Sequence, residues 1–371
     1  MTASSHVDTD PAADNVTLIE ERKRSMISKI TRRQVARSLA AVGVTATLPL
    51  SARADEAALL EGARKEGSLT WYIAQVDGET AEVMGRAFTK HYPGVNVSVI
   101  RTTGQVAYER LTQDLKNNAP QCDVFGTTDI AHMPALMKRN EIAQFVPENA
   151  SAMAPEFKGL GQDGWYYPTS STLMLIIYNT QKLKPEEAPK NWTDLLDPKL
   201  KGRVAFGHPA FSGYVGCWTL AMRTLYGWQF FDKLAQNNPR IGRSGNDPIT
   251  LLNAGECIAG LGPLATTLLS ASKGNPIAVQ YPTDGALLCI GPSAVMARAP
   301  HPNAARLFMN WLLSKDYAQI CADTYVTPVR EDVTLKPGAK PLSDVKILRQ
   351  TTAQIDKGVP EVIEQWRDTF S

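Results

Sequence analysis

The chain has 371 residues, of which 43% are hydrophobic and 20% are charged, with 39 Lys and Arg against 37 Asp and Glu. Such a near-neutral balance gives no basic face of the kind that nucleic-acid binding requires, so we expect no nucleic-acid partner. The length exceeds what one hydrophobic core usually fills, which predicts two lobes.

The first predicted element is an export signal. The paired residues Arg32 and Arg33 precede a mildly apolar segment, Leu39–Leu50, and a small-x-small site, Ala52-Arg53-Ala54, follows it. This order predicts a cleaved signal peptide over residues 1–54, of the twin-arginine type. An apolar run of about a dozen residues is shorter than the roughly 20 that span a bilayer, which disfavours a membrane anchor.

The start of translation is predicted at Met26, because the residues before it are polar and unevenly charged, which is unusual ahead of a signal peptide. Cleavage after Ala54 removes eight of 39 basic and five of 37 acidic residues, so 31 and 32 remain and the net charge becomes −1. No segment after Leu50 is long and apolar enough to cross a membrane. We therefore expect a soluble periplasmic protein that is exported by the twin-arginine machinery.

Five cysteines follow the signal, and an odd number leaves at least one free thiol in an oxidising compartment. Several lie in apolar runs, which favours small buried hydrophobic side chains. No Cys-x-x-Cys spacing indicates a metal or redox pair, and we expect neither a metal site nor a cofactor. The cysteines are Cys122, Cys217, Cys257, Cys289 and Cys321.

Strands and helices alternate in the first part of the region after the signal. Leu69–Ala74, Val95–Val99 and Asp123–Gly126 are predicted strands, and the segments around Val83–Phe88 and Tyr108–Leu115 have one apolar face each, as helices do. Such alternation with short connections builds a mainly parallel sheet covered by helices. The sequence therefore predicts an α/β first lobe.

The remainder of the chain repeats this alternation, which predicts a second α/β lobe followed by a helical tail. The predicted strands are Leu173–Tyr178, Arg203–Phe206, Cys257–Leu261, Ile277–Tyr281 and Ala286–Ile290, and the predicted helices are Ser212–Tyr226, Pro302–Leu313 and Val345–Phe370.

Several separated motifs resemble one known family. They are Tyr178-Asn179, residues 192–204 (WTDLLDPKLKGRV), Gly255-Glu256, Tyr281–Gly285 and Ala299–Phe308. In this order they resemble the periplasmic solute-binding proteins of ABC importers, in the branch that holds ferric-ion, phosphonate and sugar-phosphate binders. The resemblance covers nearly all of Asp55–Ser371. It implies an α/β type II periplasmic binding fold with two lobes, each a mainly parallel sheet flanked by helices.

The resemblance also implies the division of the chain and its partners. Lobe 1 would comprise residues 55–169 and 284–371, and lobe 2 residues 170–283, with crossings near Pro168–Leu173 and Tyr281–Leu287. The protein would act as a monomer that captures a small-molecule ligand and delivers it to ABC permease and ATPase subunits in the inner membrane. Capture by closure of two lobes needs no catalysis.

The ligand is not fixed by the resemblance. The ferric binders of this branch place adjacent tyrosines after the strand that follows the Gly-Glu motif, because phenolate oxygen suits a hard cation. Here that segment, Gly260–Thr267, has no tyrosine, and the donors His208, Asp129 and Glu256 show no coordination spacing. Ferric-ion transport therefore stays as the alternative to a small anionic organic solute.

Small polar residues recur where predicted strands end and helices begin. In open α/β sheets, ligands bind at the carboxyl ends of strands, where helix N-termini offer unpaired N–H groups and partial positive charge. This arrangement favours an anion such as a phosphorylated sugar, a phosphonate or a carboxylate, although each Ser or Thr also suits an ordinary cap or turn. The candidate ligand-binding residues are Gln75, Asp77, Thr103, Gly104, Thr127, Thr128, Ser170, Ser171, His208, Ser212, Gly213, Ser244, Asn246 and Asp284.

Two further hypotheses concern single residue types. Arg101 and Arg243 are candidates for a fork to a carboxylate or phosphate, because guanidinium donors match such oxygens in pairs. A remote alternative is an enzyme on this fold with a cysteine nucleophile. An activated thiol needs an electropositive setting and a nearby base, and none of the cysteines has a histidine within a few residues in sequence.

The export prediction can be tested with the double variant Arg32→Lys, Arg33→Lys. Because the machinery reads the arginine pair as an address, we expect delivery to the periplasm to fail although both charges are kept. Cell fractionation and immunoblotting measure the distribution, and Arg37→Lys is the control that should still be exported. Undiminished delivery of the double variant would contradict the twin-arginine assignment.

Overall fold

The computed structural model describes residues 56–370, so the predicted signal over residues 1–54 lies outside the described region. Within the described region the chain forms ten strands. They are β1 Ser68–Ile73, β2 Asn96–Arg101, β3 Val124–Gly126, β4 Tyr167–Asn179, β5 Val204–Phe206, β6 Arg240–Ile241, β7 Ala259–Pro263, β8 Ile277–Gln280, β9 Ala286–Val295 and β10 Ile347–Leu348.

The helices of residues 56–370 alternate with these strands, and none of them has both the length and the hydropathy of a membrane span. The α-helices are α1 Glu56–Glu66, α2 Gly78–His91, α3 Gly104–Lys116, α4 His132–Lys138, α5 Gly213–Tyr226, α6 Gln229–Gln236, α7 Asp247–Asn253, α8 Leu264–Ser272, α9 Pro302–Trp311, α10 Lys315–Asp323 and α11 Thr352–Phe370. The short 3₁₀ helices are Glu148–Ala152, Pro155–Phe157, Trp192–Leu196, Pro198–Leu200 and Leu342–Asp344.

The strands form one path in the order β2-β1-β3-β9-β4-β7-β5-β6, with β10 paired to β9 and β8 to β4. On one side, β1 is parallel to β2 and β3, and on the other side β5 is parallel to β6 and β7. Between these two parallel halves, β9 runs antiparallel to both β3 and β4. The predicted alternation of strand and helix in two α/β lobes is confirmed, and the two lobes are joined through β4 and β9.

The joining strands explain why the two halves stay connected. All 13 residues of β4 are buried, and its first half pairs with β9 while its second half pairs with β7 and β8. The predicted crossing near Pro168–Leu173 lies within β4. The range Tyr281–Leu287, where the second crossing was predicted, contains the start of β9 at Ala286. Just before it, Gly285 adopts a positive φ of 125° and its N–H donates to the carbonyl of Pro282, which closes a turn.

Each lobe has its own aromatic core. In lobe 1 the ring of Phe308 lies 5.0 Å from that of Trp71 and 4.9 Å from that of Phe88, centroid to centroid. In lobe 2 Trp218 packs edge-on against Phe231 at 5.9 Å. Aromatic pairs in such tilted arrangements contribute beyond their buried area. The two cores lie on either side of the joining strands, one in each lobe.

The last helix packs on the opposite lobe from the one predicted. The sequence assigned residues 284–371 to lobe 1, but α11 packs against α5 and α6 of lobe 2. Its apolar face includes Val359 and Trp366, and the contact with α5 is close enough that a Cβ on Gly358 would lie 2.6 Å from a methyl carbon of Leu220. The helical periodicity was visible in the sequence, whereas the surface that covers it depends on residues far away in the chain.

The packing of α11 can be tested at Trp366, which is fully buried and lies 5.7 Å from the ring of Phe231. Truncation in Trp366→Ala should cost about 3–5 kcal/mol, which lowers the melting temperature by roughly ten degrees. The matched variant Trp366→Phe keeps a ring and removes an indole N–H that has no partner, so it should cost less than half as much. Equal melting temperatures for the two variants by calorimetry would contradict this packing.

Candidate ligand-binding site

A narrow cleft lies between the two lobes, with a free volume of about 50 Å³. Lobe 1 contributes the carboxyl ends of β1 and β2 and the start of α3, and lobe 2 contributes the start of α5 and the turns before α7 and α8. This is the sheet edge where parallel strands end, as expected for a ligand site. The predicted residues that line it are Gln75, Asp77, Thr103, Gly104, Thr128, Ser171, Ser212, Ser244 and Asn246.

Three candidates outside the cleft lining, Thr127, His208 and Asp284, contact other residues of the protein. The Thr127 hydroxyl lies 2.9 Å from Nδ1 of His132, and the ring of His208 packs on Phe211 and Trp366. One carboxylate oxygen of Asp284 accepts from the Trp192 N–H at 2.9 Å. These contacts are structural, and burial lowers the pKa of His132 and of His208, which favours their neutral forms.

The other two candidates outside the lining support residues that line it. The hydroxyl of Ser170 lies 3.4 Å from the side-chain oxygen of Gln75. The amide nitrogen of Gln75 in turn donates to the carbonyl of Pro292 at 2.7 Å, which fixes the Gln75 side chain across the joining strand β9. Gly213, the first residue of α5, lies directly against the backbone of Thr128. Ser170 and Gly213 thus shape the cleft from behind.

Two of the helices that begin at the cleft, α3 and α5, are not capped by the side chain of the residue before them. Thr103 precedes α3 and Ser212 precedes α5, and neither side chain accepts a hydrogen bond from its helix. In contrast, Asp77 caps α2 by accepting from the Thr80 N–H at 2.9 Å. The first-turn N–H groups of α3 and α5 have no intrahelical partner and carry partial positive charge. Two uncapped helix starts from opposite lobes therefore meet at one cleft.

Two threonine hydroxyls in this cleft are buried without a hydrogen-bond partner among the described residues. They belong to Thr103 and Thr128, and Thr128 as a whole is only 7% exposed. The crowding is such that a Cβ on Gly104 would lie 2.6 Å from the Thr128 hydroxyl oxygen. An unsatisfied buried hydroxyl costs about 1–3 kcal/mol, and an acceptor brought by a ligand would remove that cost.

Opposite charges flank these hydroxyls. Arg101 lines the cleft, and its Nε donates to the carbonyl of Val76 at 2.9 Å, while no partner lies within hydrogen-bond distance of its two terminal nitrogens among the residues described. Asp77 lines the same cleft and interacts electrostatically with Arg101. From lobe 2, the Arg243 guanidinium stacks on the ring of Phe211 at 4.7 Å.

The lobes are in contact across the cleft. A Cβ on Gly213 would lie 2.4 Å from the Thr128 carbonyl oxygen, and Lys273 of lobe 2 forms an ion pair with Glu79 of lobe 1. A free volume of about 50 Å³ is far below the roughly 300–1,000 Å³ of pockets for drug-sized ligands. A larger ligand can therefore enter only when the lobes separate.

Several residues that line the cleft were missed in the sequence. Phe211, Thr266 and Val326 line it, and the Thr266 hydroxyl donates to the side-chain oxygen of Asn246 at 3.0 Å. Thr266 could have been predicted, because it follows the end of β7 at the start of α8. The other candidate residues were chosen for the same position between a strand and a helix. Val326 had no local signal, because it reaches the cleft from a loop distant in sequence.

The donors in this cleft suit a ferric ion poorly. The segment Gly260–Thr267 does reach the cleft, but it contributes Pro263, Ala265 and Thr266 there and contains no tyrosine. Tyr214 lines the cleft, and burial raises the pKa of its phenol well above the ordinary value, which disfavours the phenolate that iron prefers.

Comparison with known proteins decides the family. Residues 120–353 match the family described as bacterial extracellular solute-binding protein. The chain belongs to this family. It therefore binds a solute and is not an enzyme, which overturns the remote alternative of a cysteine nucleophile. The burial of all five cysteines agrees with this outcome.

Curated relatives of this solute-binding protein include binders of different ligands. It is 28% identical over 283 residues to a putative 2-aminoethylphosphonate-binding periplasmic protein of Salmonella typhimurium, covering 72% of this chain and 77% of the relative. It is 22% identical over 331 residues to an Fe(3+)-binding periplasmic protein of Serratia marcescens, covering 85% and 91%.

Solved structures confirm the two-lobed periplasmic binding fold. The periplasmic binding protein AfuA of Actinobacillus pleuropneumoniae, with fructose-6-phosphate bound, superposes with a TM-score of 0.74 at 22% identity, covering 82% of this chain and 99% of that one. Iron-bound HitA of Pseudomonas aeruginosa gives 0.68 at 22% identity, covering 81% and 99%. At these identities the likeness establishes the fold and leaves the ligand open.

The role of Gly213 in lobe contact can be tested with Gly213→Ala. Because the added methyl would collide with the Thr128 backbone, we expect the lobes of the unliganded variant to stay apart and its radius of gyration by small-angle X-ray scattering to increase. The matched control is Gly78→Ala, which also substitutes the first residue of a helix but has nothing within 4 Å of the added methyl. Identical scattering from Gly213→Ala and Gly78→Ala would contradict a closed contact at this position.

Proposed function

We propose that this protein is the periplasmic substrate-binding component of an ABC importer and that it captures a small organic anion between its lobes. The observation that carries the proposal is the pair of unpartnered hydroxyls, on Thr103 and Thr128, at the uncapped start of α3. Hydroxyl and N–H donors that converge on one point favour an oxyanion over a cation or an apolar ligand. The uncapped start of α5 supplies donors from the other lobe.

The charges at the cleft narrow the class of anion. The terminal nitrogens of Arg101 have no partner within the described residues 56–370, and such guanidinium donors match two oxygens of a phosphonate or phosphate group. Asp77 lies in the same cleft and offers a carboxylate to a positively charged substituent. An aminophosphonate carries both charges, and the names of the Salmonella relative and of the AfuA complex fit a phosphonate or phosphate monoester. We therefore propose that the ligand is a phosphonate or a sugar phosphate rather than a simple carboxylate.

Capture would follow from closure. In the open state each lobe would present half of the donors, and a ligand that contacts both α3 and α5 stabilises the closed state by its differential affinity for it. The closed protein would then deliver the ligand to permease and ATPase subunits of the inner membrane. Export by the twin-arginine route, a periplasmic location and a monomeric state belong to the same proposal.

The ligand class can be tested by thermal unfolding of the exported protein with 2-aminoethylphosphonate, fructose-6-phosphate, inorganic phosphate, citrate and ferric chloride. A ligand at a hundred times its dissociation constant adds about 2.7 kcal/mol, which raises the melting temperature by roughly 5 °C. We expect that shift with at least one of the two organophosphorus compounds. A shift with ferric chloride alone would contradict the proposal and favour iron transport.

The donor role of Thr128 can be tested with Thr128→Val, which removes the hydroxyl and keeps the shape. Because that hydroxyl has no hydrogen-bond partner among residues 56–370, stability should stay the same or rise, while affinity for the stabilising anion should fall about tenfold, or about 1.4 kcal/mol. The matched control is Thr112→Val on α3, whose hydroxyl is also unpartnered but does not line the cleft. Titration calorimetry measures the affinity of both variants. Equal affinities would show that the anion does not bind at Thr128.

A further inference from the structure

Two cysteines from different parts of the fold meet behind the ligand cleft. Cys217 lies on α5 and Cys289 lies on β9, and both line one small cavity of about 30 Å³. Their exposed fractions are 6% and 4%. The shared cavity places the two thiols close together, and burial, followed by the neighbouring Cys217 thiol, raises the pKa of the Cys289 thiol.

The other three cysteines lie in separate surroundings. The Cys122 thiol donates to the carbonyl of Val124 at 3.2 Å in lobe 1. Cys321 lies on α10 beside the phenol of Tyr317, and Cys257 precedes β7 in the hydrophobic core of lobe 2. Cys217 and Cys289, in contrast, are neighbours at the boundary between α5 and β9.

The boundary between α5 and β9 lies beside the contact between the two lobes. α5 begins at Gly213, which touches Thr128 of lobe 1, and one turn later it places Cys217 next to the joining strand β9. In β9, Cys289 is paired with Thr172 of β4, so it belongs to the strand pair that connects the lobes. Thr128 and Ile130 of lobe 1 line the same cavity as the two thiols. A covalent bond here would fix α5 against the joining strands in the closed arrangement.

We propose that Cys217 and Cys289 form a modification site, a disulfide that is made in the exported protein and holds the lobes closed. An oxidising compartment favours such a bond between neighbouring thiols. The proposal concerns lobe closure in the ligand-free protein and does not depend on which solute binds.

The chemistry is thiol–disulfide exchange with a disulfide-bonded donor, which is the oxidant. The thiolate of one cysteine attacks the donor, forms a mixed disulfide and releases the first donor thiolate. The thiolate of the second cysteine attacks the protein sulfur of that mixed disulfide, forms the Cys217–Cys289 bond and releases the second donor thiolate. The two protein thiols lose two protons and two electrons, and the donor disulfide is reduced to two thiols. Because only the thiolate reacts, burial slows the first attack in the closed state, so we expect the mixed disulfide to form when the lobes are open and the Cys217–Cys289 bond to form when they close.

The bond itself can be tested by mass spectrometry. The full exported chain is treated with oxidised glutathione, denatured, alkylated with N-ethylmaleimide and digested without reductant. We expect three alkylated cysteines in place of five and a peptide that links Cys217 to Cys289. The matched variant Cys257→Ser should keep that link, whereas Cys217→Ser should lose it and show four alkylated cysteines. Five alkylated cysteines in the oxidised wild type, or a link between other cysteines, would overturn the proposal.

The effect on closure is measured on the wild type, so it does not depend on the folding of a variant. We expect the oxidised, ligand-free protein to have a smaller radius of gyration by small-angle X-ray scattering than the reduced protein, and dithiothreitol to reverse the change. Oxidation should also raise the melting temperature by several degrees, since a disulfide restricts the unfolded chain. Equal scattering from the two forms, with the bond present, would overturn the claim that it holds the lobes closed. A failed ligand panel would leave both results unchanged, so the two proposals can fail separately.

Discussion

The antiparallel pairing of β4 with β9 is the interaction on which the rest of the structure depends. Each strand is shared by two half-sheets, since β4 pairs onward with β7 and β9 pairs onward with β3. Because the strands of each half are parallel, the ends that carry polar residues and helix starts lie along one edge. The pairing thus brings two such edges to opposite sides of one cleft. It also provides a connection about which the lobes can move.

The ligand cleft contains buried polar groups that have no hydrogen-bond partner in the described part of the chain, residues 56–370. In most of the core, hydroxyls and amides find partners, as Thr267 does by donating to the carbonyl of Pro263 at 2.8 Å. Thr103 and Thr128 break this rule within a few residues of an uncapped helix start. Such an arrangement strengthens ligand binding, because the buried donors form their hydrogen bonds only when the ligand is present. Asp77, which caps the neighbouring helix α2, shows that this chain can supply a side-chain cap at a helix start.

Closure is limited by close packing on both sides of the joining strands. Gly213 permits the start of α5 to approach the backbone of Thr128, and one turn further along the same helix a Cβ on Gly216 would lie 2.9 Å from Val359 of α11. Helix α5 therefore packs closely against both Thr128 of lobe 1 and the last helix of the chain. A bond from Cys217 to β9 would act on the same helix, which links the proposed disulfide to the proposed capture of solute.

The sequence by itself determined the alternation of strands and helices, and it indicated the junction residues Thr103 and Ser212, because hydrophobic period and capping chemistry are local properties of the chain. Only the tertiary structure decided that Asp284 fixes the turn at Trp192 and that Val326 reaches the cleft. It also decided that α11 covers lobe 2 and that Cys217 lies next to Cys289. Each of these depends on which buried surfaces meet between segments far apart in sequence, and no local pattern encodes that pairing.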